Sequence, residues 1–197
     1  ADGLSVTSPD YMKQILAELT HLARKSNEIS QRSGVSVRVT ICNYENVMSN
    51  ALKRAIRLGE SHVAPRVSDL GAIVASTSGK IELETLGDTT EEKILARLAA
   101  KALQNVFARY FSGGELDPVV AAFQNGLGLE VSDLMSSDEY VRQLAKIPAL
   151  ATAVKKLGAT EPATMAAGME FVLEGLHLGK KLNKDVKSGA MRYRSAS

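Results

Sequence analysis

The chain has 197 residues, of which 45% are hydrophobic and 23% charged, with 24 Lys+Arg against 22 Asp+Glu, one Cys and no Trp. This is the composition of an ordinary globular chain forming one compact domain or two small ones, and a net charge of +2 is too small to drive binding to nucleic acid or an anionic membrane unaided. Cys42 cannot make an internal disulfide, nor can it build a zinc site with the scattered His21, His62 and His177. No run of about 18 apolar residues is present, and the opening ADGLSVTSPD lacks the basic and apolar parts of a signal peptide. The expectation is a reducing, cytoplasmic setting with no membrane span.

Apolar residues recur mostly at helical spacing. Ser8-Pro9-Asp10 opens a helix over 9–25, with Ile15, Leu16, Leu19, Leu22 and Ala23 as its inward stripe. The polar stretch 26–34 reads as a loop, after which Ser36 caps a second long helix that Gly59 stops. Its inward face is expected to carry Ile41, Tyr44, Met48, Leu52 and Ala55. A short helix is expected over 70–75. In Lys80-Ile81-Glu82-Leu83-Glu84-Thr85-Leu86 apolar and polar residues alternate, which predicts a strand or hairpin near 80–86. Thr89 with Glu92 forms a capping box for a core helix through Ile94, Leu98, Ala102, Val106 and Tyr110.

Ser112-Gly113-Gly114 ends that helix and is the expected boundary between a first domain, 1–112, and a helical subdomain, 113–182. Helices are expected over 116–124, after a second capping box of Ser136 with Glu139, over 148–157, and from Pro162 to about residue 178. Beyond that the chain is basic and poor in apolar residues, so 183–197 reads as a flexible tail. The fold class is therefore mainly α: a helical bundle with one short β insertion, followed by a second small helical subdomain.

Few residues carry chemistry. No phosphate-binding loop, paired acids ending an apolar run, or zinc spacing occurs. Cys42, among Val39, Ile41 and Tyr44, reads as a structural thiol, and His21 as a surface or packing residue. Glu91-Glu92 and Asp138-Glu139 occupy first helical turns, where acids favour the dipole. Ser78-Gly79-Lys80 precedes a strand rather than a helix and reads as a turn. The informative segment is Ser33-Gly34-Val35-Ser36-Val37-Arg38, because a guanidinium on the first turn of a capped helix can join backbone N–H groups in holding a phosphate.

That segment, with Gln31-Arg32 before it and Asn43-Tyr44-Glu45-Asn46 after it, resembles the start of the lid in the ATPase subunit I of magnesium chelatase and its MoxR-like relatives in the AAA+ superfamily. Pro65-Arg66-Val67-Ser68-Asp69-Leu70, Ala75-Ser76-Thr77-Ser78-Gly79-Lys80-Ile81-Glu82-Leu83-Glu84 and Ala108-Arg109-Tyr110-Phe111 extend the resemblance. It implies that Arg38 is the sensor 2 arginine, reaching the γ-phosphate of ATP bound to a preceding core. Ser36 would then cap and position it, and Arg32 would be a weaker candidate for an intersubunit contact.

The resemblance further implies ATP and Mg²⁺ held through a parent protein, a ring of subunits, six in the family's manner, and a von Willebrand A domain protein as a further partner. The family's phosphate-binding loop, Mg²⁺-binding acids, sensor 1 and arginine finger have no counterpart in these 197 residues, so no catalytic residue is expected on this chain. The rival expectation is a non-enzymatic helical interaction module in which Arg38 meets no phosphate. Nucleic-acid binding would rest on Lys180, Lys181, Lys184, Lys187, Arg192, Tyr193 and Arg194, and would be non-specific and salt-sensitive.

Overall fold

The computed structural model describes residues 3–30, 35–77, 90–187 and 189–196. Among these the fold is mainly α, with eight α-helices and a few short strands. Helix α1, Asp10–Lys25, buries Tyr11, Met12, Ile15, Leu16, Leu19 and Ala23, the expected stripe extended by one turn. It packs against α4, Glu91–Tyr110, and polar contacts seal the edge of that pair: Asn105 Nδ2 and Arg109 Nη2 donate to the Glu18 carboxylate at 2.8 and 2.7 Å. The cap of α4 is Thr90, whose side chain accepts from Lys93 N, one residue beyond the expected box. Thr89 lies outside the described residues, as do the 80–86 strand and the Ser78-Gly79-Lys80 turn.

Helix α2, Val37–Leu58, starts at Ser36 and stops at Gly59, which adopts φ 69°. Its rotation about its own axis differs from expectation. The buried residues are Val39, Asn43, Val47, Ala51, Arg54 and Ala55, whereas Ile41 is exposed and Tyr44, Met48 and Leu52 are only half-buried. The apolar stripe misleads because a buried carboxylate, Asp69, lies below the adjacent face, about one residue step or 100° round the helix. Arg54 Nη2 donates to it at 2.9 Å, so the arginine is drawn inward with its charge compensated.

After α2, strand β2 (His62–Val63) pairs in parallel with β1 (Ser5–Val6). A 3₁₀ helix, Val67–Gly71, then runs into α3, Ala72–Thr77, where one short helix was expected over 70–75. Asp69 organises this turn: its Oδ2 accepts from Arg66 N at 2.7 Å and its Oδ1 from Asn50 Nδ2 at 2.8 Å.

The C-terminal half holds α5 (Asp117–Gln124), β3 (Leu129–Ser132), α6 (Ser137–Leu144), α7 (Pro148–Lys156) and α8 (Pro162–Leu178). The capping box of α6 is as read: Glu139 N donates to Ser136 Oγ at 3.3 Å and Ser136 N to Glu139 Oε2 at 2.7 Å. Helix α8 is buried on nearly every side. Gly175 is required there, because a Cβ at that position would lie 2.2 Å from Phe107 Cδ2. One hydrophobic cluster runs from Tyr11 and Met12 through Leu103 and Phe171 to Tyr193. The Gly113 turn therefore joins elements that share a core.

The basic C-terminal segment is not a loose tail. Strands β4 (Leu182–Lys187) and β5 (Ala190–Ser195) form a hairpin, and β5 also pairs with β3, giving the antiparallel order β3-β5-β4. A strand directs alternate residues to opposite faces, so a few inward side chains suffice to dock it. Leu182 and Tyr193 are buried, and Tyr193 Oη and Lys184 Nζ both donate to Glu174 of α8. The outer edge of β3 is closed by side chains of α6. Gln143 exchanges bonds with Glu130 N and O at 2.9 and 2.7 Å, and Ser132 N donates to Tyr140 Oη at 3.1 Å.

Candidate functional site

The first turn of α2 is where sequence and structure converge. Ser36, extended at φ −67° and ψ 149°, accepts from Arg38 N through its Oγ at 3.2 Å, which satisfies one of the N–H groups that a helix start leaves open. The turn is anchored from below. Val35 and Val39 are buried with Ala23, Ile29 and Leu95 in a small separate apolar cluster. From α1, Arg24 Nε donates to Val35 O at 2.9 Å, and Thr20 Oγ1 lies 2.7 Å from Thr40 Oγ1.

On this footing the outward face of the turn, Ser36 to Arg38, is exposed. Arg38 is exposed and makes no ion pair among the described residues. It is flanked by Val37 and Ile41, which are 62% and 52% exposed. An uncompensated guanidinium beside the positive end of a helix of 22 residues is an arrangement that attracts anions. Among the described residues of that turn it provides one charged donor, Arg38, beside the capping Ser36 hydroxyl. Arg32 lies outside the described residues.

The remaining sequence candidates fall elsewhere. Cys42 is half-buried on α2 and His21 is exposed on α1. Glu91-Glu92 and Asp138-Glu139 do occupy the first turns of α4 and α6. Among the described residues, no group of three or more His, Cys, Asp or Glu converges so as to hold a metal ion, so a Mg²⁺ ligand set is not found with Arg38. Two basic residues of the C-terminal hairpin are already paired internally, Lys184 with Glu174 and Arg194 with Asp185. No helix among the described residues is long and apolar enough to cross a membrane.

A cleft of about 280 Å³ lies at the opposite end of α2, between Gly59–Glu60 and the first turns of α6 and α8. With 22 residues in the helix at about 1.5 Å rise each, that cleft is some two dozen ångströms or more from Arg38 and belongs to a different region. On its wall Glu60 accepts from Ser137 N through one carboxylate oxygen, and the other lies 3.9 Å from Arg54.

Sequence reasoning missed the buried charges Arg54, Arg66, Asp69 and Glu170, which are all at most 4% exposed. The only signal for them is local: Arg66 and Asp69 stand three apart after Pro65, a spacing that suits a capped turn. Comparison with protein families, with curated proteins and with solved structures gives no match.

Proposed function

We propose that this chain is the lid and accessory region of a magnesium-chelatase-like AAA+ ATPase, with Arg38 acting as the sensor that touches the γ-phosphate of ATP bound to a preceding core. The observation that carries the reading is Arg38 itself: exposed, unpaired among the described residues, and set on a capped and firmly anchored first turn. ATP with Mg²⁺ supplies phosphoryl-transfer chemistry in that parent. Arg38 contributes a charge-assisted hydrogen bond and, through α2, ties phosphate to the rest of the lid. Ser36 keeps the turn wound. The parent works in the cytoplasm as a ring of subunits, six in the family's manner, and remodels a partner, as a chelatase or a chaperone, beside a von Willebrand A domain protein.

One such bond is worth about 1.5–3 kcal/mol, against association costs of about 4–15 kcal/mol, so the isolated chain holds nucleotide weakly. The test is to read the parent open reading frame upstream of Ala1 and confirm the product by intact mass. A phosphate-binding loop and acidic Mg²⁺ motif within roughly two domain lengths is the expected result. Translation that begins at Ala1 would overturn the reading.

A second reading, a helical interaction module without phosphate chemistry, is favoured by the apolar exposure of Val37, Ile41 and Ile56 on α2. The two differ at Arg38→Ala, which the second reading expects to be silent in turnover.

A further inference from the structure

Among the described residues the buried charges form one connected set, and it spans the elements on both sides of the Gly113 turn. From α2, Arg54 Nη2 reaches Asp69 Oδ2 and Ala64 O, each at 2.9 Å. Asp69 also holds Arg66 N, and the wholly buried Arg66 side chain runs the other way. Its Nη1 donates to Met135 O and its Nη2 to Ser137 Oγ, both at 3.0 Å, and its guanidinium carbon lies 4.3 Å from the centre of the Tyr140 ring. Glu60 stands 3.9 Å from both guanidinium groups and accepts from Ser137 N. Beside it, Glu170 of α8 accepts from Tyr140 Oη at 2.6 Å and from Ser68 N at 2.8 Å.

We infer that this set is a latch that makes the C-terminal half of α2, the 3₁₀ helix, α6 and α8 move as one body. The reason lies in the chemistry of the joint. An apolar helix interface can slide by small repacking steps. A buried, directional, charge-assisted joint cannot, because any displacement that parts Arg66 from Ser137, or Arg54 from Asp69, strands a charge in the interior. Intermediate positions are thereby removed, and α2 either carries α6 and α8 with it or does not move. Arg66 is the positioning residue at the centre, since its backbone N–H bonds Asp69 while its guanidinium bonds Met135 O and Ser137 Oγ at the start of α6.

The use of the latch in the proposed machine rests on the reading of Arg38: a tilt of α2 prompted at its first turn is delivered to α6 and α8 at its far end. The latch itself is tested without nucleotide, so its failure and the failure of that reading are separate results. On a Cys42→Ser background, spin labels are placed through Lys53→Cys on α2 and Arg142→Cys on α6, both exposed positions, and the interlabel distance distribution is measured by pulsed electron resonance. A second pair, His21→Cys with Lys101→Cys, reports α1 against α4, away from the latch.

The expected result is one narrow α2–α6 distance with Arg66 present and a broadened or split one after Arg66→Met, with the α1–α4 distance unchanged. Should Arg66→Met not fold, Ser137→Ala removes a single acceptor of the same guanidinium and is read in the same way. An α2–α6 distribution that stays narrow in a folded variant would overturn the latch and leave Arg66 as a packing residue. Equal broadening of both distances would overturn it too, since that is general loosening.

Discussion

Arg38 points outward from a turn whose inward residues, Val35 and Val39, are buried, so its side chain can be removed without touching the fold. Arg38→Ala is expected to leave unfolding free energy within about 0.5 kcal/mol of wild type, whereas Ser36→Ala loses the cap and costs about 1 kcal/mol; urea denaturation of the two variants side by side checks this contrast. A destabilising Arg38→Ala would mean that the arginine is structural. Gly175→Ala should cost more, about 1–3 kcal/mol, because its Cβ would enter the space of the Phe107 ring and a ring cannot yield as a flexible side-chain end does. Thermal melts read that difference directly.

Among the elements, two behave against their sequence patterns, for related reasons. Helix α2 shows its apolar stripe of Ile41, Tyr44, Met48 and Leu52 partly to solvent, because Arg54 and Asn43 are claimed from the adjacent face. Periodicity reads hydrophobicity residue by residue and cannot see that Asp69, fifteen positions along, awaits Arg54. The C-terminal hairpin hides its docking in two residues, Leu182 and Tyr193, among lysines and arginines whose side chains face outward or reach Glu174. Tyr193→Ala is accordingly expected to destabilise the whole protein by about 3 kcal/mol or more, measured by denaturation; a silent substitution would return the segment to the status of a tail. By contrast the extents of α1, α4, α6 and α8 were legible because their stripes are local, although only α6 uses the cap that was expected: Pro9 rather than Ser8 precedes α1, with no side-chain cap bond, and Thr90 rather than Thr89 caps α4.

Glu170 gives these elements a pH dependence. Burial pushes its carboxyl above the ordinary carboxylate range, and Arg66, Tyr140 and Ser68 oppose the shift in part. A raised folded-state value means that this group's stabilising contribution is full below the unfolded carboxylate value of about 4.3 and is lost as pH rises toward the folded value. The stability difference between wild type and Glu170→Gln should therefore shift against wild type as pH rises from about 4. Denaturation midpoints across a pH series check the sign, and a difference that moves the opposite way would show that Tyr140 and Ser68 outweigh burial.

For the whole molecule, the mainly helical class and most helix limits followed from local pattern, while the unity of the core did not. Gly113 marks a genuine turn, with φ 61°, yet Tyr11 stacks on Phe171 with ring centres 4.3 Å apart, a contact across 160 residues that no local signal announces. The candidate site was half legible: the helix start and its arginine stand in the sequence, but the anchoring by Arg24, Thr20 and Leu95 and the charges under the far end of α2 arise only in the folded chain. The resulting picture is a rod, α2, with an exposed arginine at one end and a buried polar joint to α6 and α8 at the other.

The proposed sensor role of Arg38 is tested by steady-state ATP turnover of the proposed parent polypeptide with and without Arg38→Ala, with nucleotide affinity measured on the same preparations. If Arg38 is the sensor, turnover falls on the order of a hundredfold, as for loss of one donor to a transition-state charge, with affinity largely kept. Undiminished turnover in a folded Arg38→Ala protein would contradict it and leave the exposed face of α2 to a partner rather than to phosphate.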